Sequence, residues 1–329
     1  MSRPPIGAHQ ESQPDALEDE VLGGLLATPK TLPPKLFYDE RGARLFEEIC
    51  ELPEYYLTRA ELSILRSCVR ELAELTGRGC ALVEYGSGAG VKVRLLLDAL
   101  DAPTMYSPVD ISRLQLSRVA ESLSKDYPSV RVRPVHADYT RRFELPGVPP
   151  ETRRRVGFFP GSSIGNFHPA EAAAFLRRVR HVVGEDGGLI LGVDRVKDPA
   201  ELDAAYDDAR GVTAEFNLNM LARINRELRA TFDLGSFRHV AFFNAEASRV
   251  EMHLESTRDQ VVRVAGERVR LAAGERIWTE SSYKYDEASL ESLASGGGFG
   301  ITRLWTDAAD RFWVAWLEPS SHPPGGSPQ

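Results

Sequence analysis

The chain has 329 residues, enough for one large domain or two ordinary ones. Hydrophobic residues make up 42% and charged residues 27%, a globular balance that gives no ground for disorder over most of the length. Acidic side chains outnumber basic ones by 48 to 40, and the resulting net charge of -8 repels a phosphate backbone, which speaks against nucleic acid as a partner.

Three cysteines, Cys50, Cys68 and Cys80, are too few and too scattered for a disulfide framework or a zinc site and fit a reducing cytoplasm. The stretch "MSRPPIGAHQESQPDALEDE" lacks the apolar core of a signal peptide, and no apolar run approaches the roughly 20 residues that span a bilayer. The expectation is a cytoplasmic monomer without membrane contact or bound metal.

Residues 1–15 and 319–329 are rich in Pro, Ser and Gly and are expected to be flexible. From Thr58, "TRAELSILRSCVRELAELTG" places Leu62, Leu65, Leu72 and Leu75 near helical spacing and stops at Gly77. Strand-like and helical text then alternate: "ALVEY", "VRLLLDAL", "TMYSPVD", "SRLQLSRVAESLSKD", "VRVRPVHAD", "VGFFPGSS", "PAEAAAFLRRVRHVV" and "GLILGVD". This predicts an α/β fold with a parallel sheet covered by helices on both faces and loops aligned along the strands' C-terminal edge. The arginine clusters "TRRFELP" and "ETRRRVG" lack interleaved aromatics and read as solvated loop edges.

From Lys197 the pattern changes to helices followed by "FRHVAFFN", "SRVEMHLEST", "QVVRVAG" and "RIWTESSYKY", an inserted α+β lobe. The end, "ITRLWTDAADRFWVAWLE", predicts an antiparallel hairpin closing an edge of the first sheet. The expected organisation is therefore 58–196 and 286–318 as one domain, with 16–57 and 197–285 forming a second lobe.

The stretch "ALVEYGSGAGVK" is the centre of the functional argument. A nicotinamide fingerprint needs G-x-G-x-x-G, and Val91 stands where the third glycine belongs. What is present is Glu84-x-Gly86-x-Gly88-x-Gly90, which resembles the first motif of Rossmann-like methyltransferases that use S-adenosylmethionine. Gly86 and Gly88 let backbone approach a methionine tail, the helix start after Gly90 offers free amides to its carboxylate, and Lys92 could add positive charge. Asp110 ends the next strand, where it could accept from both ribose hydroxyls; Asp138 ends the one after, placed for an adenine amino group, with Tyr139 beside the ring. Either aspartate could instead cap the helix or turn that follows it.

Five stretches together, "LFYDERGARLFEEICELPEYYLTRAE", "VEYGSGAGVK", "FFPGSSIGNF", "AYDDARGVTAEFNLNMLARINREL" and "TESSYKY", resemble the L-histidine Nα-methyltransferases of ergothioneine biosynthesis over about residues 20–318. The resemblance implies three methyl transfers from S-adenosylmethionine to the α-amino group of L-histidine, giving hercynine. It implies that Asn166 and Tyr206 hold the amino and carboxylate end of histidine, that Glu280 and Ser282 hold the imidazole, and that Tyr55 lines the pocket with Phe46 nearby. It also implies Tyr38, in "LFYDERG", at the cofactor with Gly86, Lys92, Asp110, Asp138 and Tyr139. One departure is Leu57 in "PEYYLTR", where proline is common in the family; losing a fixed φ is expected to loosen that loop.

The strand pattern supports the Glu280 and Ser282 pair, because residues two apart face one side, and a carboxylate with a hydroxyl can satisfy two imidazole nitrogens. Met252 is expected in the core with Val250 and Leu254, although the resemblance places a methionine near the pocket, and His253, on the opposite face, is expected at the surface. Other readings remain: a related N-methyltransferase acting on another amine, or a non-catalytic S-adenosylmethionine-binding protein.

Overall fold

A computed structural model describes residues 14–320; the expected flexible ends fall mostly outside these residues. The chain begins with helix α1 (Pro14–Leu26), strand β1 (Lys30–Thr31) and helix α2 (Glu40–Cys50), whose N-terminus Asp39 caps by accepting from the Gly42 amide at 2.7 Å. Helix α3 (Leu57–Thr76) leads into β2 (Cys80–Tyr85), α4 (Val91–Ala99), β3 (Met105–Asp110) and α5 (Arg113–Asp126). Then come the fragments β4 (Arg131–Val132) and β5 (Val135–His136), followed by β6 (Arg154–Phe159), α6 (Pro169–Val183) and β7 (Gly188–Asp194). Helices α7 (Pro199–Tyr206) and α8 (Val212–Glu227) precede five strands: β8 (Phe237–Asn244), β9 (Arg249–Ser256), β10 (Gln260–Val264), β11 (Glu267–Leu271) and β12 (Arg276–Tyr283). Helix α9 (Glu287–Gly296) and the hairpin β13 (Phe299–Thr306) and β14 (Phe312–Pro319) complete the chain.

These elements form two compact units, one of residues 57–196 and 285–320, the other of residues 14–56 and 197–284. In the first unit the strands run in the order β13-β14-β7-β6-β2-β3, with β4 and β5 both on the outer edge of β3. Pairings from β7 to β3 are parallel, and the antiparallel hairpin extends the sheet beyond β7, as expected from its sequence. Strands β2 and β7 are buried along their whole length, the mark of a sheet covered on both faces. The chain steps outward from β2 to β3, then crosses to β6 on the other side of β2. Loops after β2 and β6 therefore diverge at a topological switch point, the crevice where open α/β sheets bind ligands.

Two expectations for this unit need correction. "VRVRPVHAD" is not one strand: Pro134, which has no amide to donate, separates β4 from β5. Arg154 is not a solvated loop edge either. Its guanidinium donates to the carbonyls of Leu75 (2.5 Å), Asp186 (2.6 Å) and Gly187 (3.0 Å), and its carbon lies 5.2 Å from the Trp316 ring centre. It satisfies the Leu75 carbonyl at the end of α3, which the helix itself leaves unpaired, and two carbonyls just before β7.

The second unit is a sheet in the order β1-β12-β9-β8, with a separate β10-β11 hairpin. Met252, Val250 and Leu254 are buried as expected. His253 is buried too, against the expectation of a surface position. The opposite face of β9 is covered by long side chains: Phe242 stacks on the imidazole at 5.7 Å, Trp278 lies at 5.7 Å, and Glu251 contacts Nε2 at 3.1 Å. Alternation shows which side of a strand a residue takes but not what lies across that side.

Candidate functional site

In the first unit, Gly86, Gly88 and Gly90 all have positive φ, at 75°, 47° and 70°, a conformation L side chains rarely adopt. A side chain at Gly88 would meet no atom within 4 Å, so the loop presents open backbone. Gly90 ends the loop as the N-cap of α4, leaving the helix N-terminus directed at the crevice. Asp110 joins this loop to the next: one carboxylate oxygen accepts from the Ser87 amide at 3.2 Å, the other from the Ser112 amide at 2.9 Å. Burial raises its pKa. It does not cap α5, a role Ser112 performs through the Gln115 amide, but its bond to the Ser112 amide caps the turn before that helix.

Asp138 opens a turn, accepting from the Thr140 amide at 2.9 Å. Tyr139 packs in an aromatic cluster with Tyr85, Phe159 and Phe175, its hydroxyl 3.9 Å from where a side chain at Gly86 would begin. Gly86, Asp110, Asp138 and Tyr139 thus follow the C-terminal ends of neighbouring strands. The hydroxyl oxygen of Ser87 is buried in the same loop, beside the Asp110 carboxylate. An open glycine backbone at the start of a helix and a buried carboxylate at the next strand end fit a polar nucleoside ligand such as S-adenosylmethionine.

Lys92 has a protein partner: its ammonium contacts Glu61 of α3 at 2.5 Å. Glu61 is fully buried and also accepts from the Gly161 amide, at 3.0 and 2.9 Å. Gly192 on β7 makes room for it, since a side chain there would begin 2.1 Å from the Glu61 carboxylate. Glu61 therefore ties α4 to the loop after β6, the loop that ends in the short turn of helix Ser163–Asn166. Asn166 stands at the end of that turn, half-buried, beyond the C-terminal end of β6.

Glu84, the acidic residue of the glycine motif, points into the packing rather than to solvent. The Tyr106 hydroxyl donates to it, and burial pushes its pKa up to about 8.

The second unit gathers the other predicted residues. Strand β12 carries a bulge: Trp278 pairs with His253 and Glu280 with Met252, leaving Thr279 as the extra residue. The Thr279 hydroxyl donates to the Met252 carbonyl at 2.9 Å, and the Trp278 indole to the Glu280 carbonyl at 2.8 Å, which fixes the bulge and the aim of Glu280. Glu280 and Ser282 lie opposite Met252 and Val250, on one face. Ser282 is 2.8 Å from the Tyr206 hydroxyl at the end of α7.

The Tyr206 ring is 6.1 Å from that of Tyr55, which is 6.2 Å from Phe46, and Phe46 is 5.9 Å from Tyr38. Burial, then the nearby Tyr206, Cys50, Tyr38 and Glu280, hold the Tyr55 phenol well above its ordinary pKa, so it stays uncharged. The neighbouring Tyr56 takes a different partner, accepting from Lys197 at 2.6 Å. Leu57 is the buried first residue of α3.

The structure therefore brings Tyr55, Tyr206, Glu280 and Ser282 together in one unit and the glycine loop, Lys92, Asp110, Asp138, Tyr139 and Asn166 in the other. Tyr38, expected at the cofactor, lies in the aromatic chain of the second unit. Two residues were missed. Lys284 is buried and donates to the hydroxyls of Tyr206 (2.8 Å) and Ser282 (2.9 Å). It continues the alternation Glu280, Ser282, Lys284, which was visible in "TESSYKY". Glu61 was legible as a carboxylate inside an apolar helical stripe, since Leu57, Ile64, Leu65, Cys68 and Leu72 are buried around it, while Leu62 and Leu75 are only half-buried. Among the described residues, no group of His, Cys, Asp or Glu is arranged to hold a metal ion, and no helix is long and apolar enough to cross a membrane.

Comparison with known proteins adds to this geometry. A family model described as histidine-specific methyltransferase, S-adenosylmethionine-dependent, matches residues 17–319. A histidine N-alpha-methyltransferase of Mycolicibacterium smegmatis is 42% identical over 310 residues, covering 93% of this chain and 95% of the relative. One from Mycobacterium tuberculosis is 43% identical over 306 residues, covering 91% of this chain and 94% of the relative. Ergothioneine biosynthesis protein 1 of Neurospora crassa is 35% identical over 285 residues, covering 84% of this chain but 32% of that longer protein.

Proposed function

Because the chain belongs to the histidine-specific, S-adenosylmethionine-dependent methyltransferases, we propose that it methylates the α-amino group of L-histidine three times, yielding hercynine and opening ergothioneine biosynthesis. The observation that carries the substrate is the face shared by Glu280 and Ser282, a carboxylate and a hydroxyl set two apart on a bulged strand. Together they offer an imidazole one acceptor and one hydroxyl. Asn166 and Tyr206 are assigned to the amino and carboxylate end, and Tyr55 to the pocket wall.

Gly86, Ser87, Asp110, Asp138 and Tyr139, with the amides opening α4, are assigned to the cofactor; Tyr38 and Lys92 are assigned there by family resemblance. When bound, S-adenosylmethionine supplies the electrophilic methyl group. The protein's residues have to present an uncharged amine along the line of transfer. An α-amino group ordinarily titrates at about 8, so modest lowering is enough and no dedicated strong base is required. Tyr55 and Tyr206 position the substrate, and their rings attract the cationic charge that accompanies successive methylation.

A panel of amino acids incubated with protein and S-adenosylmethionine tests the reading. L-histidine should be the one consumed, and the Glu280→Ala variant should lose affinity for histidine far more than for S-adenosylhomocysteine. Turnover of a different amino acid would overturn the substrate, and equal losses of both ligands would make Glu280 structural.

A further inference from the structure

We infer that Lys284 is a positioning residue that turns Ser282 into an obligate hydrogen-bond donor, so that the face of β12 accepts only an uncharged imidazole. The inference rests on the proposed assignment of Glu280 and Ser282 to the substrate's imidazole and adds to it a residue and a protonation state.

The argument is a count of protons and lone pairs. Lys284 lies one residue past β12, is 2% exposed, and has Nζ 2.8 Å from the Tyr206 hydroxyl, 2.9 Å from that of Ser282 and 4.6 Å from the Tyr206 ring centre. An ammonium carries donors and no acceptor, so both bonds run from lysine to oxygen. The two hydroxyls are themselves 2.8 Å apart, and one of them donates to the other. A phenol, titrating at about 10, is a far stronger acid than an alkyl hydroxyl, which makes Tyr206 the donor and Ser282 the acceptor. Ser282 then accepts from Lys284 and from Tyr206, which fills both of its lone pairs. All it has left to offer is its own proton.

Glu280, on the same face, is a carboxylate that can only accept. One acceptor beside one donor matches an uncharged imidazole, which has one N–H and one bare nitrogen. An imidazolium has two N–H groups, and the second would meet the Ser282 proton. Without Lys284, one lone pair of Ser282 becomes available, and the hydroxyl can accept from an imidazolium as readily as it donates to an imidazole.

Other groups around the cluster do not substitute for the ligand's own titration. Tyr55 remains uncharged, with Tyr38 and Cys50 behind it. His239 of β8 donates through Nε2 to the Tyr206 carbonyl at 2.8 Å and accepts at Nδ1 from Asn217 at 2.9 Å. Burial lowers its pKa, which keeps it neutral as well.

The test is calorimetric titration with the trimethylated betaine of histidine, whose amine no longer titrates, in the presence of S-adenosylhomocysteine. With an imidazole pKa of roughly 6.5, wild-type affinity should fall about tenfold between about pH 7.5 and about pH 5.5. In Lys284→Met the change over that range should shrink to under about twofold, because both ring forms now bind. A variant weakened by the same factor at both pH values, with the wild-type slope intact, would overturn the inference and leave Lys284 a structural residue.

Should Lys284→Met fail to fold, proton counting on the wild type decides. At about pH 6.5, binding measured in buffers of different ionisation enthalpy should release about half a proton per betaine. No release, or net uptake, would overturn the inference. Failure of the underlying reading looks different: neither histidine nor the betaine binds at any pH, and no methyl is transferred.

Discussion

Single residues show where sequence reading reaches the chemistry and where it stops. Glu280 and Ser282 came from the family resemblance, to which strand alternation added only that they share a side, whereas the Thr279 bulge beside Glu280 depends on pairing with β9 and leaves no local mark. Glu84 was legible as the acidic member of the glycine motif, but its protonation state was not, because burial decides it. Its pKa rises from 4.5 to about 8 in the fold. Between those values the folded chain holds a proton that the unfolded chain has released, so this group's contribution to stability falls as pH rises through the window. Glutamine copies the neutral acid. Glu84→Gln should therefore stabilise the ligand-free protein by up to a few kcal/mol at about pH 8 and have little effect at about pH 4.5. Urea denaturation at the two pH values measures this, and an equal or reversed effect would contradict the assignment of Glu84 as a neutral buried acid.

At the scale of elements, the strands and helices of the first unit were readable from period and punctuation, and the break between β4 and β5 falls at Arg133 and Pro134. Long-range ties between elements were not readable. Arg154 satisfies carbonyls at the end of α3 and before β7, partners whose place depends on the whole sheet. Glu61 of α3 is the comparable tie for the crevice, since it pairs Lys92 of α4 and accepts from the Gly161 amide after β6. Removing one partner of a buried pair leaves the other charge without compensation. Glu61→Ala is expected to cost about 3–5 kcal/mol in urea denaturation, with the orphaned Gly161 amide adding to the loss of the pair. A cost under about 1 kcal/mol would show that water replaces the carboxylate and that the tie is dispensable.

Taken whole, the molecule joins chain segments that are distant in sequence: residues 14–56 fold with 197–284, and 57–196 with 285–320. Alternating patterns identified the sheet and the change of pattern after Val196, and the family motifs identified the methyl donor and acceptor. The side-chain network around Ser282 required the fold itself, because Tyr206 and Lys284 meet there from α7 and from beyond β12. The central claim is that the chain transfers methyl groups from S-adenosylmethionine to the α-nitrogen of histidine. Mass spectrometry of the products formed from L-histidine and S-adenosylmethionine carrying a deuterated methyl group tests it most directly. The account predicts mono-, di- and finally trimethylated histidine, with every label on the α-nitrogen and the imidazole unmodified. Labelled methyl on a ring nitrogen, or histidine returned unlabelled while another amine is methylated, would contradict it.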